Sequence, residues 1–96
     1  MKRASALRYG VAVEGLQVKL DLIEAADVEI HAYGFFEVEL GQAAAIQMVH
    51  DGEKCWCITF STIIMGVLEE LKGQEPYLAR FSKHTSASGR EYWTME

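Results

Sequence analysis

Positive charge is missing from the middle of this chain. Residues 20–53 contain eight acidic side chains and no Lys or Arg, whereas residues 1–19 carry four basic residues and one acidic residue. The whole chain has a formal charge of −5 at pH 7. Because an acidic protein repels nucleic acid and anionic lipid at long range, this balance disfavours broad binding to a phosphate backbone.

Long apolar runs and a cysteine framework are also missing. No apolar stretch approaches the ~18 residues that a membrane-spanning helix needs. The two cysteines stand two positions apart, which is too few and too close for the disulfides of a small secreted domain. The basic first residues are not followed by the continuous apolar segment of a signal peptide. These absences predict a cytoplasmic protein that does not enter a membrane.

Catalytic motifs are absent as well. The sequence has no nucleophile elbow, no phosphate-binding glycine loop, no HExxH and no paired CxxC. We therefore expect no catalytic site and no cofactor. Half of the residues are hydrophobic and a tenth are aromatic, so residues 1–96 are predicted to fold as a single domain with a modest core.

The first half of the chain is predicted to form strands. Residues 7–22 are predicted to form a hairpin around a Glu14-Gly15 turn, with Arg8 opposite Asp21. Residues 28–33 alternate between apolar and polar side chains, and the alternation resumes at residues 36–40 after a break or bulge at Gly34.

The second half combines two further strand pairs with a helix. Asp51-Gly52 is a strong hairpin turn, and a two-residue loop there sets Met48 opposite Cys55. A helix is predicted at residues 62–72, capped by Ser61 or Thr62. Residues 77–83 and 91–95 form the last strand pair. The predicted fold is α+β, a mainly antiparallel sheet or half-barrel of about 6–7 strands with one helix near residues 62–72.

Residues 29–39 carry the main candidate binding surface. With the break at Gly34, their acidic and aromatic side chains are predicted to share one strand face and to dock on a basic partner. Aromatic residues are enriched at interfaces, although a charged face also serves for solubility and edge protection. The predicted partner-binding residues are Glu29, His31, Tyr33, Phe35, Glu37 and Glu39.

A second candidate surface lies near the C-terminus. Bases and aromatic rings gather around a Ser/Gly loop, so nucleotide bases would stack on the rings while the cations hold phosphate. The alternative reading is that the rings belong to the core. These candidate nucleic-acid-binding residues are Arg80, Lys83, Arg90, Tyr92 and Trp93.

Two smaller features lie in the hairpin around residue 51. His50, Cys55 and Cys57 have donor atoms suited to zinc, but cysteines two apart on a strand usually pack as small hydrophobes, so no metal site is predicted. The hairpin around residue 51 is apolar on both faces, which predicts cover by the last strand pair or a homodimer through the Trp56/Ile58/Phe60 face.

Together these patterns predict a non-enzymatic protein-binding module, an inhibitor or adaptor that docks an acidic strand face on a basic surface of its partner. That surface is expected to be one built to bind nucleic acid, which spaced carboxylates imitate. Phage or mobile-element proteins that block host machinery often have a similar size and charge, which suggests such an origin by analogy. The alternative is a small single-stranded nucleic-acid-binding domain that uses the C-terminal hairpin.

Overall fold

A computed structural model describes residues 8–96. Its strands are β1 (Leu16–Gln17), β2 (Asp27–Val38), β3 (Gly41–His50), β4 (Glu53–Thr59), β5 (Tyr77–Thr85) and β6 (Glu91–Met95). A 3-10 helix (Leu20–Ile23) follows β1, and the helix α1 (Thr62–Glu70) follows β4. The strands form one six-stranded sheet in the order β1-β4-β3-β2-β5-β6.

The α+β fold predicted from the sequence is confirmed. All the neighbouring strands are antiparallel except β1 and β4, so the sheet is mixed but mostly antiparallel, and its open shape is compatible with a half-barrel. Within residues 8–96, no helix is long and apolar enough to cross a membrane.

The turn at Asp51-Gly52 sets the register of the central hairpin as predicted. Met48 pairs with Cys55 and Ala44 with Thr59. Asp51 and Gly52 both have positive φ, 51° and 77°, which this tight turn requires. Because side chains alternate along a strand, the register also sends Met48 and Cys55 to the face that α1 covers.

The helix α1 begins where the sequence predicts. The Ser61 hydroxyl accepts a hydrogen bond from the Ile64 amide (3.2 Å) and donates one to the Trp93 carbonyl (2.9 Å), so one side chain caps the helix and ties it to β6. Ile64 and Leu68 are fully buried, and they pack into one core with residues of β2–β6.

The predicted hairpin at residues 7–22 is wrong. β1 pairs with β4 in parallel, with Leu16 opposite Cys55, and Leu7 lies outside the described residues. The chain does not reverse at Glu14-Gly15 because Glu14 is held on β3. Its amide donates to the Gln47 side-chain oxygen (2.6 Å) and its carbonyl accepts from the Gln47 side-chain amide (3.0 Å).

The ion pair predicted between Arg8 and Asp21 is also replaced. Asp21 lies 3.5 Å from Lys83, at the start of the 3-10 helix. This helix buries Leu20 and Ile23 in the core, so the segment serves as a connection under β5 and not as a hairpin strand.

The irregularity in β2 lies three residues before the predicted one. The register shifts between Ile30 and Ala32, which leaves His31 as an extra residue opposite β3. Gly34 stays in the ladder, opposite Ala45. It is needed for another reason, because a Cβ at Gly34 would overlap the backbone of Gly10 and Val11 where the N-terminal segment crosses the sheet.

Replacing Gly34 by Ala is expected to lower the free energy of unfolding by roughly 1–3 kcal/mol, the usual cost of overpacking. The Cβ meets backbone atoms, which cannot rotate away as a flexible side chain can. Urea unfolding of both proteins measures the change. Gly66→Ala is the matched control, since Gly66 lies in α1 with no atom within 4 Å of its Cβ position, and alanine there should raise stability by up to ~1 kcal/mol. A Gly34→Ala variant as stable as the parent would contradict this account of the crossing.

Candidate functional site

The strands β2 and β3 extend beyond their neighbours and form a two-stranded arm. β4 ends at Thr59, opposite Ala44, and β5 pairs with β2 only as far as Ile30. The arm turns at Leu40, whose side chain is 99% exposed. An apolar side chain so fully exposed at a loop tip indicates a contact surface when other apolar groups lie beside it.

An apolar groove runs between this arm and α1, from Thr62 to Glu69. Its volume is about 900 Å³, within the usual range for binding sites. Phe60, which follows β4, lines it and is 65% exposed. The apolar lining residues are Phe35, Val38, Leu40, Phe60 and Met65.

The charge on the apolar groove is negative. Glu39 on the arm and Glu69 on α1 line it, and no Lys or Arg is among the described residues that do so. Gly66 also faces the groove, so the helix surface there is backbone with open space above it. A glycine inside a helix costs up to ~1 kcal/mol relative to alanine, and here it keeps the groove open.

A second groove, which we call the edge groove, continues from the first along β2. It has a volume of about 490 Å³ and shares Phe35 and Glu69 with the apolar groove. Its wall on β2 consists of five consecutive residues, 31–35, and its other wall includes Glu75.

Buried polar groups without hydrogen-bond partners lie beside the edge groove. Among residues 8–96 they include the hydroxyl of Tyr77 and the Oε2 atom of Glu75. Burial, with Glu75 and Tyr33 nearby, raises the pKa of Tyr77 to about 12. Burial, the carboxylates of Glu69 and Glu75 and a hydrogen bond with the Glu69 side chain raise the pKa of Tyr33. Both hydroxyls therefore stay protonated in a negative environment.

The extra residue at His31 separates the predicted partner-binding residues. Glu29 pairs with Val49 on the sheet face away from α1, and His31 lies beside it, 3.1 Å from its carboxylate. Beyond the bulge, Glu37 pairs with Gln42 and so lies on the α1 side. The prediction that these acidic residues share one face is wrong.

The aromatic members of that set also lie on the α1 side. Tyr33 pairs with Ile46 and Phe35 with Ala44, and both rings pack against the core as well as lining the grooves. Glu39 is at the tip of the arm, in the apolar groove. Four of the six residues therefore line a groove, namely His31, Tyr33, Phe35 and Glu39. Glu37 lies on the same side of β2 but lines neither groove, and Glu29 lines neither as well.

The candidate nucleic-acid residues do not form a common surface. Tyr92 is exposed and stacks on His84, whereas the adjacent Trp93 points to the other side of β6 and packs against the core. Arg80 is bound to Asp27 (2.8 Å).

Lys83 is neutralised as well. It bridges Glu91 (2.8 Å) and Asp21 (3.5 Å) over the Trp93 ring, and these carboxylates raise its pKa. Arg90 is exposed on the loop before β6. Nucleic-acid binding through these five residues stays a prediction, with little free charge to support it.

The cysteines lie on the core side of β4. Burial raises the pKa of Cys57 to about 12, and burial with the carboxylate of Glu53 raises that of Cys55. Both thiols thus resist forming the thiolate that binds metal or attacks a substrate. His50 pairs with Glu53 at the end of the hairpin, beyond the Met48–Cys55 pair. In the part of the chain that the structure describes, no three His, Cys, Asp or Glu side chains are placed to hold a metal ion.

The face of the central hairpin that points away from α1 is also apolar, and it is covered by a segment that the sequence analysis did not predict. The Tyr9 ring packs between Phe36 and Trp56, with centroids at 5.3 and 5.2 Å. The N-terminal segment therefore covers this face, and Ala43 and Ala45 are fully buried. A homodimer through the Trp56/Ile58/Phe60 face stays a prediction, and Phe60 is its only strongly exposed member.

Several residues of the two grooves are absent from the sequence-based candidates. Leu40 lies on the arm, Gly66 and Glu69 in α1, and Glu75 in the loop after it, so only the fold brings them together. Gly66 did carry a signal, since glycine in a helix interior requires a reason.

Comparison of the chain with known protein families, curated proteins and solved structures finds no match. The grooves are therefore interpreted from their own geometry and charge.

Cys57 is expected to make stability fall at alkaline pH. The unfolded chain loses this thiol proton near the ordinary value of 9.0, whereas the folded chain keeps it until about 12. Stability from this group is therefore complete below pH 9 and decreases by at most about 1.4 kcal/mol per pH unit above it. Urea midpoints across this window should fall less steeply for Cys57→Ala than for the parent. Parallel pH profiles would contradict the burial of an unionised thiol.

Proposed function

We propose that this protein is a non-enzymatic protein-binding module, an inhibitor or adaptor that receives a basic segment of its partner in the apolar groove. The observation that carries the proposal is the groove itself, between the β2–β3 arm and α1. It joins exposed apolar side chains to carboxylates and has no positive charge among its described lining residues.

The shape and chemistry of the groove support an amphipathic partner. Leu40 and Phe60 offer apolar surface at its two ends, and such patches beside polar residues mark protein-binding sites. Glu39 and Glu69 would attract Lys or Arg side chains flanking the apolar residues of the bound segment. Binding would thus combine apolar burial, which gives affinity, with charge, which gives orientation and a fast encounter.

The proposed docking surface differs from the one predicted from the sequence, whereas the expected partner is the same. A basic protein surface, including one that ordinarily binds nucleic acid, remains the expected target. The contact is assigned to the arm and helix, with Glu39 and Glu69, and no longer to a continuous face that also includes Glu29.

Filling the groove should abolish partner binding. Gly66→Leu places a branched side chain in open space above α1, where it blocks the groove without entering the core. Tagged parent and variant are compared in nuclease-treated lysate of the host, with mass spectrometry of the bound proteins. We expect one dominant protein to be captured by the parent and lost from Gly66→Leu.

Gly66→Ala is the control for this experiment, because a methyl group there meets no atom and leaves most of the groove open. It should capture the same protein. Equal capture by Gly66→Leu, with its fold confirmed by its thermal midpoint, would rule out the groove as the docking site.

The charge contribution is tested separately. Changing Glu39 and Glu69 together to Gln should weaken binding of the captured protein and reduce its salt dependence, since the Debye length at physiological salt is only about 8 Å. Glu29→Gln is the matched control on the opposite sheet face and should bind as the parent does. If Glu29→Gln weakens binding as much as the double variant, the partner docks elsewhere.

A further inference from the structure

The edge of β2 that faces away from β3 is open beyond Ile30. β5 pairs with Asp27 through Ile30, and among the described residues no other backbone group bonds to this edge at residues 31–38. An unpaired edge presents alternate amide and carbonyl groups, which a further strand can bind.

The edge groove lies along this open edge. A pocket on one face of a strand touches every second side chain, because side chains alternate between faces. This groove instead touches all five consecutive residues 31–35, so it follows the backbone edge. Its far wall is the end of α1 with the loop to β5, which leaves a slot beside a strand that has no neighbour there.

Hydrogen-bond acceptors lie at the inner side of this slot. The buried Oε2 atom of Glu75 has no partner, while its Oε1 atom accepts from the Gly73 amide (3.0 Å) and fixes the carboxylate. The buried hydroxyl of Tyr77 has no partner either. Glu69 adds a second carboxylate, which interacts with the hydroxyl of Tyr33. Lys72, exposed at the rim, is the only described Lys or Arg that lines the slot.

We infer that an extended segment of the partner adds as a strand to the open edge of β2 at residues 31–35, and that it inserts an arginine side chain toward Glu75, Tyr33 and Tyr77. This inference deepens the proposed function and rests on it, since it gives the backbone form and the key side chain of the basic segment.

Arginine fits this site by chemistry. Its planar guanidinium has five N–H donors, which match a group of acceptors spread over a carboxylate and two hydroxyls. The rings of Tyr33 and Phe35, 5.4 Å apart, provide aromatic surface beside it. Main-chain hydrogen bonds along the edge would give affinity and the arginine would give specificity, the usual division of roles in strand addition.

The test uses the full chain labelled with ¹⁵N and a capped peptide, acetyl-Thr-Val-Arg-Val-Thr-amide, followed by amide NMR. We expect saturable shifts centred on residues 31–35. The same peptide with citrulline, the neutral isostere of arginine, should bind at least roughly tenfold more weakly, because a hydrogen bond to a charged group is lost.

Two N-methylated peptides test the strand pairing. One is methylated on both Val nitrogens and the other on the Arg and second Thr nitrogens, which have the opposite parity. Since only alternate amides of an added strand point to the edge, one of these peptides should lose binding and the other should retain it. Equal binding by both would overturn strand addition.

Protein variants test the arginine site. Glu75→Gln should weaken the arginine peptide roughly tenfold or more and leave the citrulline peptide unchanged. Glu70→Gln is the matched control, since Glu70 is an exposed glutamate at the end of α1, five residues before Glu75, and lines neither groove. Equal affinities of Glu75→Gln and the parent for the arginine peptide would overturn the assignment.

Hydrogen exchange of the free protein gives an independent check. The outward amides of residues 31–38 should exchange fast in the monomer. Slow exchange would show that another part of this chain or a second copy already occupies the edge, which overturns the inference.

If no peptide binds but Gly66→Leu still loses its lysate partner, strand addition fails and the proposed function stands. If the peptide binds as expected and Gly66→Leu keeps its partner, the proposed groove fails instead.

Discussion

One extra residue in β2 determines which side chains face the helix. Before His31, the α1 side of β2 carries Ile30. After it, the same side carries Tyr33, Phe35 and Glu37, because a one-residue shift in register exchanges the two faces of a strand. Without the bulge these side chains would lie on the other sheet face, under the N-terminal segment. Both grooves depend on this exchange, since Phe35 lines each of them.

The exchange also explains how a small acidic chain supports an arm. Phe36, on the opposite side of β2 from Phe35, packs on Tyr9, and Gly34 lets the backbone at Gly10 cross closely. The base of the arm is therefore held from both faces, while its tip at Leu40 has no such support. Negative charge gathers near the tip and the end of α1, which directs a basic ligand to the region where the apolar surface is exposed.

Local signals allowed much of the fold to be predicted. Asp51-Gly52 fixed one register because a two-residue loop leaves no freedom in the pairing, and Ser61 marked the helix start. The hairpin at residues 7–22 failed because the partner that holds Glu14, Gln47, is 33 positions away. The bulge at His31 was missed because the alternation on both sides of it looks regular. The grooves were missed because their walls meet only after folding.

The parallel pairing of β1 with β4 has a consequence for the order of assembly. Leu16 pairs with Cys55 in the sheet, and the Ala25 amide donates a hydrogen bond to the Phe81 carbonyl (2.8 Å). During synthesis the first of these segments emerges long before its partner, whereas the hairpin β3–β4 can close as soon as it is free. Because distant contacts form more slowly than local ones, the N-terminal segment should be the last to dock. Until then, the apolar face around Trp56 is open to chaperones or to a neighbouring nascent chain.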